Sequence, residues 1–149
     1  MTSRYAAHDT ESNVFTTELN SLADGSAIIT STALSNDAAT TERELFAKFR
    51  LSIAAQGTAR SSGAYVALYL IPESGGTFAY GSASLQPASQ HWVGNFSYDA
   101  ATTARVDVIL DVRLPNSDYH VYLENNTGQA LAASGNVLAI EVDPGYEDV

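Results

Sequence analysis

Three histidines are the first residues to weigh for chemistry. His8 lies in a polar N-terminal stretch, His91 stands beside Trp92, and His120 falls within an alternating segment. None has partners at the spacing of a zinc site, and the chain contains no cysteine. They read as surface or partly packed side chains. Asp107 or Asp111 could face His120 across a hairpin, but in a β protein that is ordinary cross-strand pairing more often than a catalytic dyad. Asp99, Asp107, Asp111 and Asp118 lack the pattern of a calcium loop. No G-x-S-x-G elbow, phosphate-binding loop or dinucleotide fingerprint is present. The expectation is therefore a protein that is not an enzyme and carries no metal or cofactor. Asn95-Phe-Ser97 and Asn125-Asn-Thr127 match the N-glycosylation sequon, and without a secretory signal both matches read as accidental. What remains is Trp92 with Tyr65, Tyr69, Tyr80 and Tyr98. Exposed, such a set stacks on sugar rings or anchors a protein partner; buried, it is core.

The elements that would position these residues are strands. In Arg105-Val-Asp-Val-Ile-Leu-Asp-Val-Arg-Leu114, the residues Val106, Val108, Leu110, Val112 and Leu114 recur at a period of two, which gathers them on one side of a strand. They are expected to face inward, so Leu110→Ala should cost about 2–5 kcal/mol through cavity formation. Pro115-Asn-Ser-Asp118 then reads as a turn, with residues 119–124 folding back as the second arm of a hairpin. Residues 45–53 alternate as well, with Leu45, Ala47, Phe49, Leu51 and Ile53 inward. Residues 64–71 are apolar on both faces, which marks a central strand or one whose outer face is covered. Trp92, Phe96 and Tyr98 share a face, with Gly94 between them as a bulge or close approach. Residues 14–22 and 27–34 flank Asp24-Gly25 as two edge strands, residues 77–80 form a short strand, residues 130–134 are short and apolar, and 137–142 point Leu138, Ile140 and Val142 one way. About eight to ten short strands separated by regular turn signals predict an all-β protein, an antiparallel β-sandwich of jelly-roll-like form in one domain.

Composition narrows the function classes. Seven Lys and Arg against 17 Asp and Glu give a net charge of −10, which repels nucleic-acid phosphates and anionic lipid, so neither nucleic acid nor membrane is an expected partner. Residues 1–10 have no apolar core of a signal peptide, and no run is long enough to span a bilayer. Charged residues make up only 16% of the chain, leaving a polar, uncharged surface that can meet another protein without stripping many charges. Residues 1–13 read as a flexible arm, 14–142 as the β-sandwich domain and 143–149 as an acidic tail. Partner contacts are expected at Arg4, Tyr5 and His8 in the arm, at Phe15 just beyond it, and at Trp92.

Several segments together resemble a group of small virion structural proteins of tailed bacteriophages. They are Leu19-Asn-Ser-Leu-Ala23, Phe49-Arg-Leu51, Gly63-Ala-Tyr-Val-Ala-Leu-Tyr-Leu-Ile-Pro72, Trp92-Val-Gly-Asn-Phe96, Leu114-Pro115, residues 119–124, Asn126-Thr-Gly128 and Ala132-Ala-Ser-Gly-Asn136. The resemblance spans most of the chain from Leu19 onward. It implies a β-sandwich or jelly roll that acts as a capsid cement or decoration protein. Such a protein would bind the major capsid protein on the outer shell as a homo-oligomer, commonly a trimer, after synthesis in the host cytoplasm. The alternative is a carbohydrate- or receptor-binding β-sandwich module of a phage tail or fibre, with Trp92 and nearby tyrosines as its platform.

Overall fold

The structure, a computed structural model, describes residues 3–5, 10–36, 44–74, 77–78, 86–143 and 146–148. Its strands are β1 (Ser3–Tyr5), β2 (Ser12–Phe15), β3 (Ala27–Ile29), β4 (Phe46–Ile53), β5 (Tyr65–Ser74) and β6 (Thr77–Phe78). They continue with β7 (Trp92–Ser97), β8 (Arg105–Arg113), β9 (Tyr119–Asn126), β10 (Val137–Asp143) and β11 (Tyr146–Asp148). The expected all-β sandwich is what the chain forms. One sheet runs β2-β10-β4-β8; the other runs β3-β9-β5, with both β6 and β7 pairing to β5.

The pairings nest. β5 pairs with β7, β4 with β8, β3 with β9, β2 with β10, and β1 with β11, all antiparallel. A long ribbon doubled on itself and wrapped into two sheets is the path of a jelly roll, an arrangement that leaves few exposed edges. β2 and β3 lie at the edges of their sheets as expected, whereas the hairpin expected around Pro115–Asp118 is corrected. β2 and β3 flank the Asp24-Gly25 turn but belong to different sheets, as do β8 and β9 around Pro115–Asp118. Turn residues mark where a chain reverses, not whether it stays in the same sheet. Residues 130–134 form no strand. Ser12 and Asn13, read as part of the arm, begin β2, and Ser3–Tyr5 pairs with Tyr146–Asp148 of the tail.

Burial follows the expected alternation in three strands. Ala47, Phe49, Leu51 and Ile53 of β4, Val66, Leu68 and Leu70 of β5, and Leu138 and Ile140 of β10 meet between the sheets. Leu45, expected inward, is exposed because it precedes β4. The other face of β5 is covered too: Ala67, Tyr69 and Ile71 join Tyr122 of β9 in a second buried cluster. Gln86 lies over it, donating from Nε2 to Tyr69 Oη at 3.2 Å and to Glu124 Oε2 at 3.1 Å.

β8 departs from its sequence pattern for a definable reason. Val112 sits opposite Ala47 and Ile109 opposite Phe49, so Leu110 and Asp111 together span a single residue of β4. This is a β-bulge, with Asp111 at φ +53°, a left-handed conformation that aspartate tolerates better than most residues. The extra residue reverses the faces beyond it. Val112 and Leu114 remain buried and Ile109 packs against the core, whereas Leu110 is 63% exposed and Val106 59% exposed. The inward placement expected for Val106, Val108 and Leu110 is thereby overturned, because a one-residue slip turns every side chain to the opposite face. Leu110→Ala should change stability by less than about 0.5 kcal/mol, as for other exposed sites. Ile109→Ala should cost about 1–3 kcal/mol, toward the low end for a partly buried isoleucine. Urea denaturation of the two variants checks the assignment.

A second bulge, in β7, separates Trp92 from Phe96 and Tyr98. Gly94 faces Leu68 and Trp92 faces Tyr69, so Val93 is the extra residue. Phe96 and Tyr98 are core, and Trp92 turns out to solvent. Gly94 is a close approach as expected: a Cβ there would lie 3.2 Å from Ile109 Cδ1.

Candidate functional site

β7 and β8 are the edge strands of the two sheets on the same side of the sandwich, and Asp107 ties them together. Its Oδ2 accepts the Ser97 N–H of β7 at 2.6 Å and its Oδ1 accepts the Val108 N–H of its own strand at 2.8 Å. A carboxylate over an open edge protects it from unwanted strand addition. Alongside lies a cleft of about 560 Å³, lined in part by Leu70, Pro72, Trp92, Ile109, Leu110 and Arg113.

Trp92 is 51% exposed at this cleft. Its indole N–H is spent within the chain, donating to Asn95 Oδ1 at 3.0 Å, so the exposed part of the ring is apolar and fixed in orientation. The tyrosines do not join it as an open platform. Tyr69 and Tyr98 are buried, Tyr65 lies at the far end of β5, opposite Ser97, and Tyr80 is outside the described residues.

The outer face of β4 and β8 carries the other feature. Phe46, Val106, Val108 and Leu110 are exposed there, and a hollow of about 180 Å³ opens among Phe46, Lys48, Leu110, Asp111 and Glu141. Four of the chain's seven Lys and Arg residues, Lys48, Arg50, Arg105 and Arg113, belong to these two strands. Lys48 pairs with Glu141 and Arg50 with Glu11, while Arg105 Nη2 meets Asp99 Oδ2 at 2.7 Å. The Arg50 hydrogen bond holds the Glu11 carboxyl below its ordinary pKa, and Arg105 does the same for Asp99. Among the described residues, Asp111 and Arg113 have no ion-pair partner.

The remaining expected sites separate. Phe15 is 3% exposed and belongs to the core, so its expected role as a partner contact is corrected to a packing role. The backbones of Arg4 and Tyr5 pair with Glu147 and Tyr146, and His8 lies outside the described residues. His120 does not meet Asp107 or Asp111 across a hairpin; its Nδ1 bonds Thr30 Oγ1 at 2.9 Å. No group of three or more His, Asp or Glu side chains able to hold a metal occurs among the described residues. Asn125, of the second sequon, is fully buried.

Three structural residues escaped the sequence reading. Asn36, Asn125 and Asn136 are buried, and each amide joins segments distant in the chain. Asn136, for example, accepts the Ala54 N–H at 3.1 Å and donates to Asn20 Oδ1 at 3.1 Å and the Ala132 carbonyl at 2.7 Å. Asparagine in a turn-rich stretch is the only signal that could have flagged them.

Buried phenols give the fold a pH limit. Desolvation pushes the Tyr98 and Tyr119 hydroxyls far up, and raises Tyr122 to about 12, with Glu124 adding to the effect there. The unfolded chain releases these protons near pH 10 while the folded chain keeps them, so the stabilisation is complete below about pH 10 and is lost as pH rises above it. Melting temperature should fall steeply between about pH 10 and 12, with tyrosinate absorbance appearing in step with unfolding.

No family model, curated protein or solved structure matches this chain. No described helix is long and apolar enough to cross a membrane. Fold and site together define a single-domain β-sandwich with an apolar, cation-bearing outer face and a tryptophan-lipped cleft.

Proposed function

We propose that this protein is a virion structural protein of a tailed bacteriophage, a capsid cement or decoration protein. It binds the major capsid protein on the outer shell as a homo-oligomer, for which the resemblance implies three copies. The observation that carries the reading is the bulge in β8. A regular strand would have turned Val106, Val108 and Leu110 inward, each worth roughly 1.5–3 kcal/mol when buried. Instead they face outward, where only a partner can cover them. The jelly-roll path is common among viral capsid domains, a fold-level analogy that fits the reading. Mechanically, a protein that binds only the assembled shell stabilises it, because opening the shell must also break the added contacts. A net charge of −10 suits a position away from packaged DNA. Imaging intact particles should locate the chain on the outside of the head, at seams between capsid subunits. Its absence from the head, or its presence only in the tail, overturns the proposal.

Exposure of Trp92 favours a second reading, a carbohydrate- or receptor-binding module of a tail or fibre. A fixed indole face beside a polar-lipped cleft is suited to stacking on a sugar ring. A glycan array with wild type and Trp92→Ala decides: specific binding lost in the variant supports this reading, and no binding by the wild type removes it.

A further inference from the structure

We infer that the outer face of β4 and β8 is where a second copy of this chain docks, about a two-fold axis. The inference keeps the homo-oligomer of the proposed function and rests on it to that extent only, since a two-fold contact departs from the three copies that the resemblance implies. Two copies carrying −10 each repel, so they can approach closely only where negative charge is cancelled locally. The β4–β8 face is such a place: Lys48 and Arg50, which point outward from β4, are matched by Glu141 and Glu11. It also carries the apolar stripe of Phe46, Val106, Val108 and Leu110.

Asp111 and Arg113 of β8, of opposite sign and two residues apart, have neither an ion pair nor a side-chain hydrogen bond among the described residues. That makes the face self-complementary, the property an isologous contact requires. A two-fold axis over this end of β8 sets Asp111 of each copy against Arg113 of the other. Phe46, which pairs with Arg113 across the sheet, then approaches Leu110 of the second copy, with Val108 and Val106 continuing the contact. The copies meet face to face rather than edge to edge. Strand addition along β8 is opposed by Asp107, whose carboxylate already occupies the Val108 N–H.

Sedimentation velocity of the full chain, from micromolar to submillimolar concentration, tests the contact. The wild type should sediment as a dimer or another even-numbered assembly. Leu110→Glu should raise the dissociation constant at least about tenfold, with an unchanged circular dichroism spectrum, because it places a carboxylate in the centre of the contact. Val106→Lys serves the same purpose should Leu110→Glu fail to fold. Asp111→Asn and Arg113→Gln should each weaken association, and the double variant should be little worse than either alone, as expected for residues that act as a pair. A wild type that stays monomeric throughout, or an assembly that Leu110→Glu and Val106→Lys both leave intact, overturns the inference. Binding to phage heads is read separately: a monomer that still coats shells overturns this contact and leaves the cement reading standing, whereas a dimer absent from virions does the reverse.

Discussion

Asn125→Leu is expected to destabilise the fold by roughly 2–4 kcal/mol, because the Thr127 N–H is left stranded, at about 1–3 kcal/mol, and the Leu22 and Gln129 carbonyls each lose one of their two donors. The side chain is 0% exposed. Its Nδ2 donates to the Leu22 and Gln129 carbonyls, both at 2.9 Å, and its Oδ1 accepts the Thr127 N–H at 3.1 Å. Leucine has nearly the same size, so little of the loss comes from a cavity. The affected groups lie on two loops, before β3 and after β9, which the amide holds to the end of the sandwich. Gly128 nearby has φ +78°, and a Cβ there would collide with Ser61, so the second loop has little room to shift in compensation. Chemical denaturation should show the loss in the midpoint with an unchanged slope. A change under about 1 kcal/mol would mean that water replaces the amide, since well-placed water can be nearly as good a partner.

Arg60→Ala should cost about 3–4 kcal/mol, combining lost packing of the long stem with the loss of three acceptor contacts. Arg60 is 2% exposed. Its Nε donates to the Asp99 carbonyl at 3.2 Å and its Nη2 to the Thr103 carbonyl at 3.0 Å and to Asp99 Oδ1 at 3.4 Å, while Cζ sits 5.8 Å from the centre of the Tyr98 ring. The guanidinium thereby pins the loop between β7 and β8 to residues 56–60, where the Gln56 N–H also reaches the Thr102 carbonyl at 2.9 Å. Arg60→Met keeps most of the stem and removes the cost of burying a charge, so about 2 kcal/mol should remain. Arg60→Lys should not rescue, because an ammonium cannot present the planar fork that reaches both carbonyls. Thermal melts give the three stabilities. Hydrogen exchange should show faster opening at Gln56 in each variant, and unchanged exchange there would mean the loop is held by other contacts.

Strand positions and most inward faces were legible in the sequence because alternation reports them directly. β4, β5 and β10 each bury the residues their period selects. Pairing was not legible. Alternation carries the face of a residue and says nothing about which strand lies beside it, so the turn at Pro115–Asp118 suggested a local hairpin where the chain crosses between sheets. The two bulges defeated the pattern differently. In β8 the apolar period runs unbroken through the extra residue, so nothing in the residue types reveals the reversal at Leu110 and Asp111. In β7 Gly94 did signal irregularity, yet the consequence for Trp92 needed the register with Tyr69. Arg60 lay in a small, polar stretch with no periodicity, where a buried cation leaves no mark. Of the candidate site, Trp92 was legible by type and its exposure was not. The β4–β8 face was hidden because its β8 residues, Val106, Val108 and Leu110, belong inside when read by period alone.

The same bulge makes chain length a control on which surface this protein presents. By residue type alone Arg105–Ile109 fits two phases, one regular and one bulged, and the chain takes the bulged one, in which Leu110 and Asp111 share a single place opposite β4. Loss of one codon, that of Asp111, would remove the choice: Ile109 and Val112 would fall on the inner face of an unbroken strand, and Val106, Val108 and Leu110 would be fixed outward without any left-handed residue. Gain of a codon at the same place would widen the irregularity instead. A family descended from such a chain could therefore diversify its sticking surface through single-residue length changes in one edge strand, leaving every core side chain untouched.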